Sequence, residues 1–161
     1  MQGEDAPLEV VRAGSGIHQQ ALHSLQLKFW QAFREEAQSD KAFMDVFSLP
    51  KALPRGYYTF SVGNSSFCIS LSATVRNKHI ACELYIKSRK DFFHHLHGQN
   101  EQLVQEIGEK LYWEEAKKDS RMIARHDGDF TQSENWKEYF AWMRQTAIRM
   151  REAFIRRIGS A

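Results

Sequence analysis

An acid and a lysine stand four residues apart in the segment CELYIKSRK, which covers residues 82–90. Metal-dependent nucleases often place these two residue types two positions apart on one strand, so that both reach the same metal-bound phosphate. Glu83 and Lys87 would share a strand face, but four steps of about 3.3 Å separate them by about 13 Å. The spacing favours the polar face of an ordinary sheet. The alternative is a divergent metal-dependent nuclease, with Glu83, Lys87, Asp127 and Asp129 as its site.

Two further groups contain residue types that bind metals. His94 and His97 would lie one helical turn apart, with His95 between them, and both could contact one ion. The sequence offers no third ligand in the same cluster, so we interpret the histidines as a solvated helix face. Asp127 and Asp129 flank a glycine, but a calcium loop of the EF-hand type needs more oxygen ligands and a closing Glu. We therefore predict no catalytic residue, no bound metal and no cofactor.

Cationic residues are concentrated near the C-terminus, where residues 136–161 contain six basic residues and two acids. On a helix, at about 100° per residue, Trp142, Arg149 and Arg156 form one stripe nearly opposite the core stripe. A second basic group precedes this helix and consists of Lys117, Lys118, Arg121 and Arg125. We predict that these seven residues form an interaction surface for a protein or a nucleic acid. The alternative is that Trp142 packs on the first helix and the arginines are solvated.

The elements that must position these residues follow from hydrophobic periodicity. A helix is predicted over the segment IHQQALHSLQLKFWQAFREEAQ, and a last helix carries one apolar stripe from Trp136 to Phe154. Between them, short runs with one apolar and one polar face predict strands. The predicted order is helix, three strands, helix, two strands, helix. This order predicts an α+β fold, an antiparallel sheet of about five strands with helices on its apolar face.

The strand registers follow from the turns that join the strands. A two-residue turn at Asn64 and Ser65 would close the first hairpin, and one at Asn77 and Lys78 would close the second. A shift of one residue would set apolar against polar side chains throughout. The predicted cross-strand neighbours are Tyr58–Leu71 and Phe60–Ile69 in the first hairpin, and Leu71–Leu84 and Ile69–Ile86 in the second.

The segment RKDFFHHLHGQNEQLVQEI is predicted to form a single middle helix. Ser88 or Asp91 can cap its N-terminus, and Gly108 can end it. The hairpin that follows this helix is predicted to turn at Lys118 and Asp119.

Composition limits the classes of function. The chain has 161 residues, of which 42% are hydrophobic, and a net charge of +2. We expect one domain at residues 17–161 after a linker or tail at residues 1–16, and this charge alone does not indicate a nucleic-acid binder. No apolar run approaches the ~20 residues of a membrane helix, and the N-terminus lacks a signal-peptide core. Two cysteines without a CxxC motif favour a cytoplasmic protein, and Cys68 and Cys82 would lie on opposite sheet faces.

Several segments together resemble a known family. They are LQLKFWQAF, ACELYIKSRKDFFHHL, EIGEKLYWEE, KKDSRMIARHDGDF and NWKEYFAWMRQTAIRMREAF. As a set, over about residues 22–158, they resemble an uncharacterised bacterial and archaeal domain-of-unknown-function family, often found C-terminal to an endonuclease-like domain. The resemblance implies a setting in prokaryotic DNA processing or defence and supplies no reaction. We predict a non-catalytic accessory or interaction domain, and a homodimerisation module is a further alternative beside the nuclease.

Overall fold

The computed structural model of the protein describes residues 16–159, which form five α-helices and five strands. The helices are α1 (Gly16–Ala37), α2 (Lys41–Met44), α3 (Lys90–His97), α4 (Asn100–Ile107) and α5 (Trp136–Ile158), with a 3-10 turn at Ser133–Asn135. The strands are β1 (Tyr57–Ser61), β2 (Phe67–Thr74), β3 (His79–Ile86), β4 (Leu111–Glu115) and β5 (Ser120–Asp127). The predicted α+β class and order of elements are confirmed. Apart from Gly16, where α1 begins, the predicted tail lies outside the described residues.

The five strands form one antiparallel sheet in the order β1-β2-β3-β5-β4. In β2, Phe67, Ile69, Leu71 and Ala73 are buried, whereas the residues between them are partly exposed. The buried residues face the helices, and α5 packs against β2 and β3. The sheet therefore has an inner face that contacts the helices and an outer face that is turned away from them.

Aromatic rings fill the space between the inner face and the helices. The ring centroid of Phe33 on α1 lies 5.6 Å from that of Phe140 on α5 and 5.8 Å from that of Tyr58 on β1. Near the other end of α5, the ring of Phe154 lies 5.0 Å from that of Phe67. Such pairs contribute about 0.5–1.5 kcal/mol each beyond the area that they bury. The predicted apolar stripe of the last helix is confirmed, because it is the side of α5 that enters this core.

The predicted register is confirmed in the first hairpin and is wrong by two residues in the second. The observed neighbours are Tyr58–Leu71 and Phe60–Ile69 in the first, and Leu71–Cys82 and Ile69–Leu84 in place of Leu71–Leu84 and Ile69–Ile86 in the second. A two-residue hairpin turn needs a positive φ at its first central residue, here Asn77. The positive φ, 49°, lies at Lys78 instead, and the turn spans residues 75–78. Because a shift of two preserves alternation, Glu83 and Tyr85 lie on the outer face, as predicted.

The predicted middle helix is divided into α3 and α4. Gly98 ends α3, and Gln99 interrupts the helical backbone with φ −109° and ψ 25°. Gly108 ends α4 in the left-handed conformation, with φ 80°, so the predicted end is confirmed. No helix within residues 16–159 is long and apolar enough to cross a membrane.

The caps predicted for the middle helix are wrong. Arg89 occupies the N-cap position of α3, and its side chain makes no capping hydrogen bond. Ser88 lies one residue earlier with φ 62°, and the carboxylate of Asp91 accepts a hydrogen bond from Arg89 Nε at 3.0 Å. The hairpin between β4 and β5 turns over the four residues 116–119, which include the two predicted turn residues.

Candidate functional site

Three of the five arginines on α5 form hydrogen bonds with acidic side chains elsewhere in the helix layer, namely Glu106 on α4 and Asp40 between α1 and α2. Arg156 Nη2 donates to Glu106 Oε1 at 2.6 Å, and Arg157 Nη2 donates to Glu106 Oε2 at 2.6 Å. Arg144 Nε donates to Asp40 Oδ2 at 2.7 Å. The hydrogen bonds from Arg157 and Arg156 lower the pKa of Glu106 to about 2, because they favour its charged form. Much of the positive charge on α5 is therefore neutralised within the helix layer.

Trp142 of the predicted helical stripe is partly buried in its own chain. Its Nε1–H donates to Glu109 Oε2 at 2.9 Å, and its ring lies 5.3 Å from the ring of His126. Arg149, another residue of this stripe, is exposed. The stripe thus offers a solvent-accessible arginine and part of an indole ring.

The second predicted basic group lies on a different side of the molecule. Arg121 and Arg125 alternate along β5 with buried residues that face the helices, so both lie on the outer face. Lys117 and Lys118 are exposed in the turn before β5. Because α5 packs on the inner face, the structure does not bring the two basic groups together into one surface.

The outer face contains an open depression of about 800 Å³. One cross-strand row of the outer face consists of Tyr57, Ser72, Ala81 and Arg125 on β1, β2, β3 and β5. Tyr57 and Ser72 of this row line the depression, and Arg121 lines it on the β5 side. Ser70, in the next row, also lines the depression. We call this surface, from Tyr57 to Arg125, the open face.

Glu83 lies in the middle of the open face and is 7% exposed. Arg121 Nη1 donates to both carboxylate oxygens of Glu83 at 3.3 Å, and Arg121 also binds Glu114. Arg125 Nη2 donates to Glu114 Oε2 at 3.5 Å. Burial raises the pKa of Glu83, and Arg121 offsets part of this rise because it stabilises the carboxylate. Acids and arginines therefore alternate across β3, β5 and β4.

Tyrosine–arginine stacks stand at both edges of the sheet. Arg55 Cζ lies 4.3 Å from the ring centroid of Tyr57 at the β1 edge, and Arg125 Cζ lies 4.2 Å from that of Tyr112 at the β4 edge. Tyr57 is 48% exposed. Such cation–π contacts hold the rings in place, and of the two rings that of Tyr57 is the exposed one.

Lysines flank one end of the open face. Tyr85 Oη donates to Asp119 Oδ2 at 2.7 Å, and the backbone N–H of Ser88 donates to Asp119 Oδ1 at 3.1 Å. These bonds hold the β4–β5 turn beside the end of β3, where Lys87 lines the depression. The exposed turn residues 117 and 118 are therefore close to this end.

The residues of the predicted nuclease site are only partly brought together. Glu83 and Lys87 line the same depression. Asp127, however, lies four residues along β5 from the residue opposite Glu83, a separation of about 13 Å. Asp129 lies beyond β5, where its Oδ1 accepts hydrogen bonds from the N–H and Oγ1–H of Thr131 at 3.0 and 2.5 Å. Two carboxylates and a lysine around one phosphate are thus not assembled.

The histidines of α3 have separate partners. His94 Nε2 lies 3.0 Å from Glu115 Oε1, and the ring of His97 lies 4.9 Å from the ring of Trp113. In the described part of the chain, no group of three or more His, Cys, Asp or Glu side chains is placed to hold a metal ion.

The two cysteines lie on opposite faces of the sheet, as predicted, and both are free thiols. Cys68 lines the depression on the open face, whereas Cys82 is buried on the inner face. Burial raises the pKa of both thiols, so neither is an activated nucleophile.

A family model described as Domain of unknown function (DUF4268) matches residues 25–158. The chain belongs to this family. A search of the curated proteins found no match, and a search of the solved structures also found none. The open face of this DUF4268 domain lies entirely within the matched residues.

Sequence reasoning missed several residues of the open face of the DUF4268 domain. Arg55 and Tyr57 follow a proline-containing loop, and no local pattern marks them as the wall of a site. Nothing in the sequence distinguishes Ala81 from other strand residues. One signal was present, since the outward residues Ser70 and Ser72 of β2 are small, and Ser70 lies opposite Glu83.

Proposed function

We propose that this DUF4268 chain is a non-catalytic binding domain whose partner occupies the open face. One observation carries the proposal, the depression of about 800 Å³ on the outer face of a sheet whose other face forms the core. Binding sites are concave surfaces with a few polar groups at fixed positions. Glu83 and Arg121 are such groups, because their mutual hydrogen bonds hold both side chains.

The chemistry of the open face supports binding rather than catalysis. Arg121 holds the carboxylate of Glu83, and Asp127 and Asp129 lie elsewhere. The thiol of Cys68 has a raised pKa, which suppresses its nucleophilic form at neutral pH. A site of this kind can position a partner but lacks an assembled nucleophile, base or metal-binding group.

The family resemblance supports a biological context for this binding role. The segments that resemble the domain-of-unknown-function family include ACELYIKSRKDFFHHL, which contains β3 of the open face. Domains of this kind often follow an endonuclease-like domain. We therefore assign the chain an accessory role in a prokaryotic DNA-processing or defence protein, in which it holds a partner beside a separate catalytic domain.

Site-specific photo-crosslinking tests the proposed function. Benzoylphenylalanine at Tyr57 keeps an aromatic ring at the wall of the open face, and the same group at Gln105, exposed on α4, is the control. After irradiation of the cells from which the chain comes, we expect a discrete adduct from position 57. We expect its loss when Ser72→Leu, a larger uncharged side chain, fills the depression.

The outcomes separate the alternatives. No adduct from position 57, or an adduct that Ser72→Leu leaves unchanged, would contradict the proposal. An adduct with the mass of two chains would favour the homodimerisation module instead.

A cleavage assay tests the nuclease alternative. We expect the purified chain to leave supercoiled plasmid DNA uncut with Mg²⁺ or Mn²⁺, because the carboxylates of the predicted site are not assembled. Cleavage that persists through purification and disappears in Glu83→Ala would contradict this expectation.

A further inference from the structure

We infer that the open face binds single-stranded nucleic acid. This inference rests on the proposed function, because it names the partner of the same face. Three features carry it: an exposed tyrosine ring at one wall, a donor–acceptor pair on the floor, and lysines at one end.

The tyrosine–arginine stacks supply surfaces on which bases can stack. Tyr57 is 48% exposed at one wall of the depression, whereas Tyr112 on the opposite edge strand is partly buried and has both Arg125 and Lys110 against its ring. Unpaired bases stack on tyrosine rings and on guanidinium planes, whatever their sequence. A duplex exposes only the edges of its bases, in its grooves, so its bases cannot stack on these rings. The stacks therefore favour a single strand.

The floor supplies hydrogen-bonding groups for the base edges. A carboxylate has about four acceptor sites, and Arg121 occupies two of those of Glu83 through one nitrogen. Carboxylates accept hydrogen bonds from the amino group of cytosine, and guanidinium groups donate to guanine. Glu83 is 7% exposed, so a base would contact it only at the small part of the carboxylate that is open to the depression.

Cationic side chains lie where the sugar–phosphate backbone of a bound strand would leave the depression. Lys87 lines one end, and the bonds of Asp119 hold the turn with Lys117 and Lys118 beside it. Lysines bind phosphates as point charges and fix the position of a strand without reading its sequence. The row from Tyr57 to Arg125 crosses three strand spacings, about 14 Å, which is enough for one extended strand.

A protein partner fits the open face less well. Protein interfaces depend on a few apolar or aromatic anchors that enter pockets. Among the described residues, the exposed large hydrophobic side chains are Met44, Tyr57 and Ile155, of which Tyr57 lies on the open face. Extended peptides usually add to the edge of a sheet rather than to its face. The polar floor of small side chains therefore favours bases and phosphates.

Fluorescence anisotropy of the full chain with labelled oligonucleotides tests the inference. The probes are a mixed-sequence DNA strand of about twelve nucleotides, the RNA of the same sequence and the DNA duplex, at about 50 mM salt. We expect saturable binding of a single strand, at least about fivefold tighter than of the duplex. Comparison of the DNA and RNA probes shows whether the open face prefers deoxyribose or ribose. Binding of either single strand supports the inference.

Matched variants locate the binding to the open face. We expect Tyr57→Ala to weaken binding about tenfold or more and Tyr57→Phe to change it less than about twofold, because stacking needs the ring and not the hydroxyl. Lys87→Ala should reduce the slope of log affinity against log salt by about 0.7, the value for one phosphate on a single strand. Arg149→Ala, on the exposed side of α5, should leave both the affinity and the slope unchanged.

Several results would overturn the inference. They are the absence of saturable binding by either single strand, unchanged affinity in Tyr57→Ala, or a loss in Arg149→Ala as large as in Lys87→Ala. If neither strand binds and nuclease leaves the photo-adduct at position 57 unchanged, the inference fails and the proposed function stands. Absence of any adduct together with absence of binding by either strand would remove both.

Discussion

Neighbouring residues on β2 face two different environments. Leu71 is fully buried on the inner face, whereas Ser72 is partly exposed on the open face. The inner face is filled by aromatic and aliphatic side chains that exclude water, and this burial provides most of the stability of such a fold. The open face has small hydroxyl side chains and a network of ion pairs, which contribute little stability where they contact solvent.

This difference separates folding from binding on one sheet. Changes on the inner face should alter the free energy of unfolding, and changes on the open face should alter the affinity for a partner. The helix layer adds a third environment, in which acids such as Glu106 are paired with arginines at the surface of the core. Each environment can be tested by one substitution.

Phe154→Ala is expected to have the largest effect, a loss of about 3–5 kcal/mol in the free energy of unfolding. Phe154 is 2% exposed, and its ring lies 5.0 Å from Phe67 and 5.9 Å from Phe92. Removing the ring leaves a cavity that these neighbours fill only in part. Urea denaturation followed by circular dichroism measures the change. A loss below about 1 kcal/mol would show that this part of the inner face is not a packed core.

Glu106→Gln is expected to cost about 1–2 kcal/mol at pH 7, because charge-assisted hydrogen bonds to two arginines are weakened at a partly exposed site. Arg157 and Arg156 hold the pKa of Glu106 at about 2, below its ordinary value of 4.5. This stabilisation is therefore present above pH 4.5 and is lost as the pH falls towards 2. The difference in unfolding free energy between variant and wild type should be smaller at about pH 3 than at pH 7. An equal difference at both pH values would contradict the pairing.

Glu83→Gln is expected to have a smaller effect with the opposite pH dependence. Burial raises the pKa of Glu83 above 4.5, so the folded state binds this proton more tightly than the unfolded state. The contribution of Glu83 to stability is fully present below pH 4.5 and is lost as the pH rises through the folded pKa. Glutamine stays neutral, so the stability of the variant relative to wild type should rise as the pH increases from 4.5 through the folded pKa of Glu83. A fall over this range, measured by urea denaturation, would mean that Arg121 outweighs burial.

Ser72→Ala is expected to have the smallest effect, a change within about 0.5 kcal/mol in unfolding free energy. Its control is the adjacent Leu71→Ala, which removes a buried side chain and should cost about 2–5 kcal/mol. Thermal and urea denaturation of both variants measure the contrast between the two faces. Similar losses in the two variants would show that the outer face also contributes to the core.

Alternation was enough to assign the residues of β2 and β3 to a face. Cys82 is inside and Glu83 is outside, as predicted, although the register of their hairpin is wrong by two residues. The period of two residues determines only whether a shift is odd or even. The size of the shift depends on the turn, and the positive φ at Lys78 is a local backbone feature that the residue types of Asn77 and Lys78 did not reveal.

Contacts between distant segments were not predictable from local patterns. Arg156 and Glu106 are separated by 50 residues, and nothing in the spacing of either helix links them. The arginines of α5 therefore looked available for a partner, whereas most are bound within the chain. The polar side of β2 was predicted, but the open face depends on which elements pack over a sheet, and that is a property of the whole fold.

The turn at residues 75–78 also limits how related chains can differ in length. One inserted residue that entered β3 would rotate the strand, so that Glu83 would point among the aromatic rings and Leu84 into the depression. Two inserted residues would shift the pairing of β3 with its neighbours by two residues, and every side chain would stay on its face. Insertions that extend into this ladder should therefore accumulate in even numbers during evolution, and odd ones should remain confined to the turn.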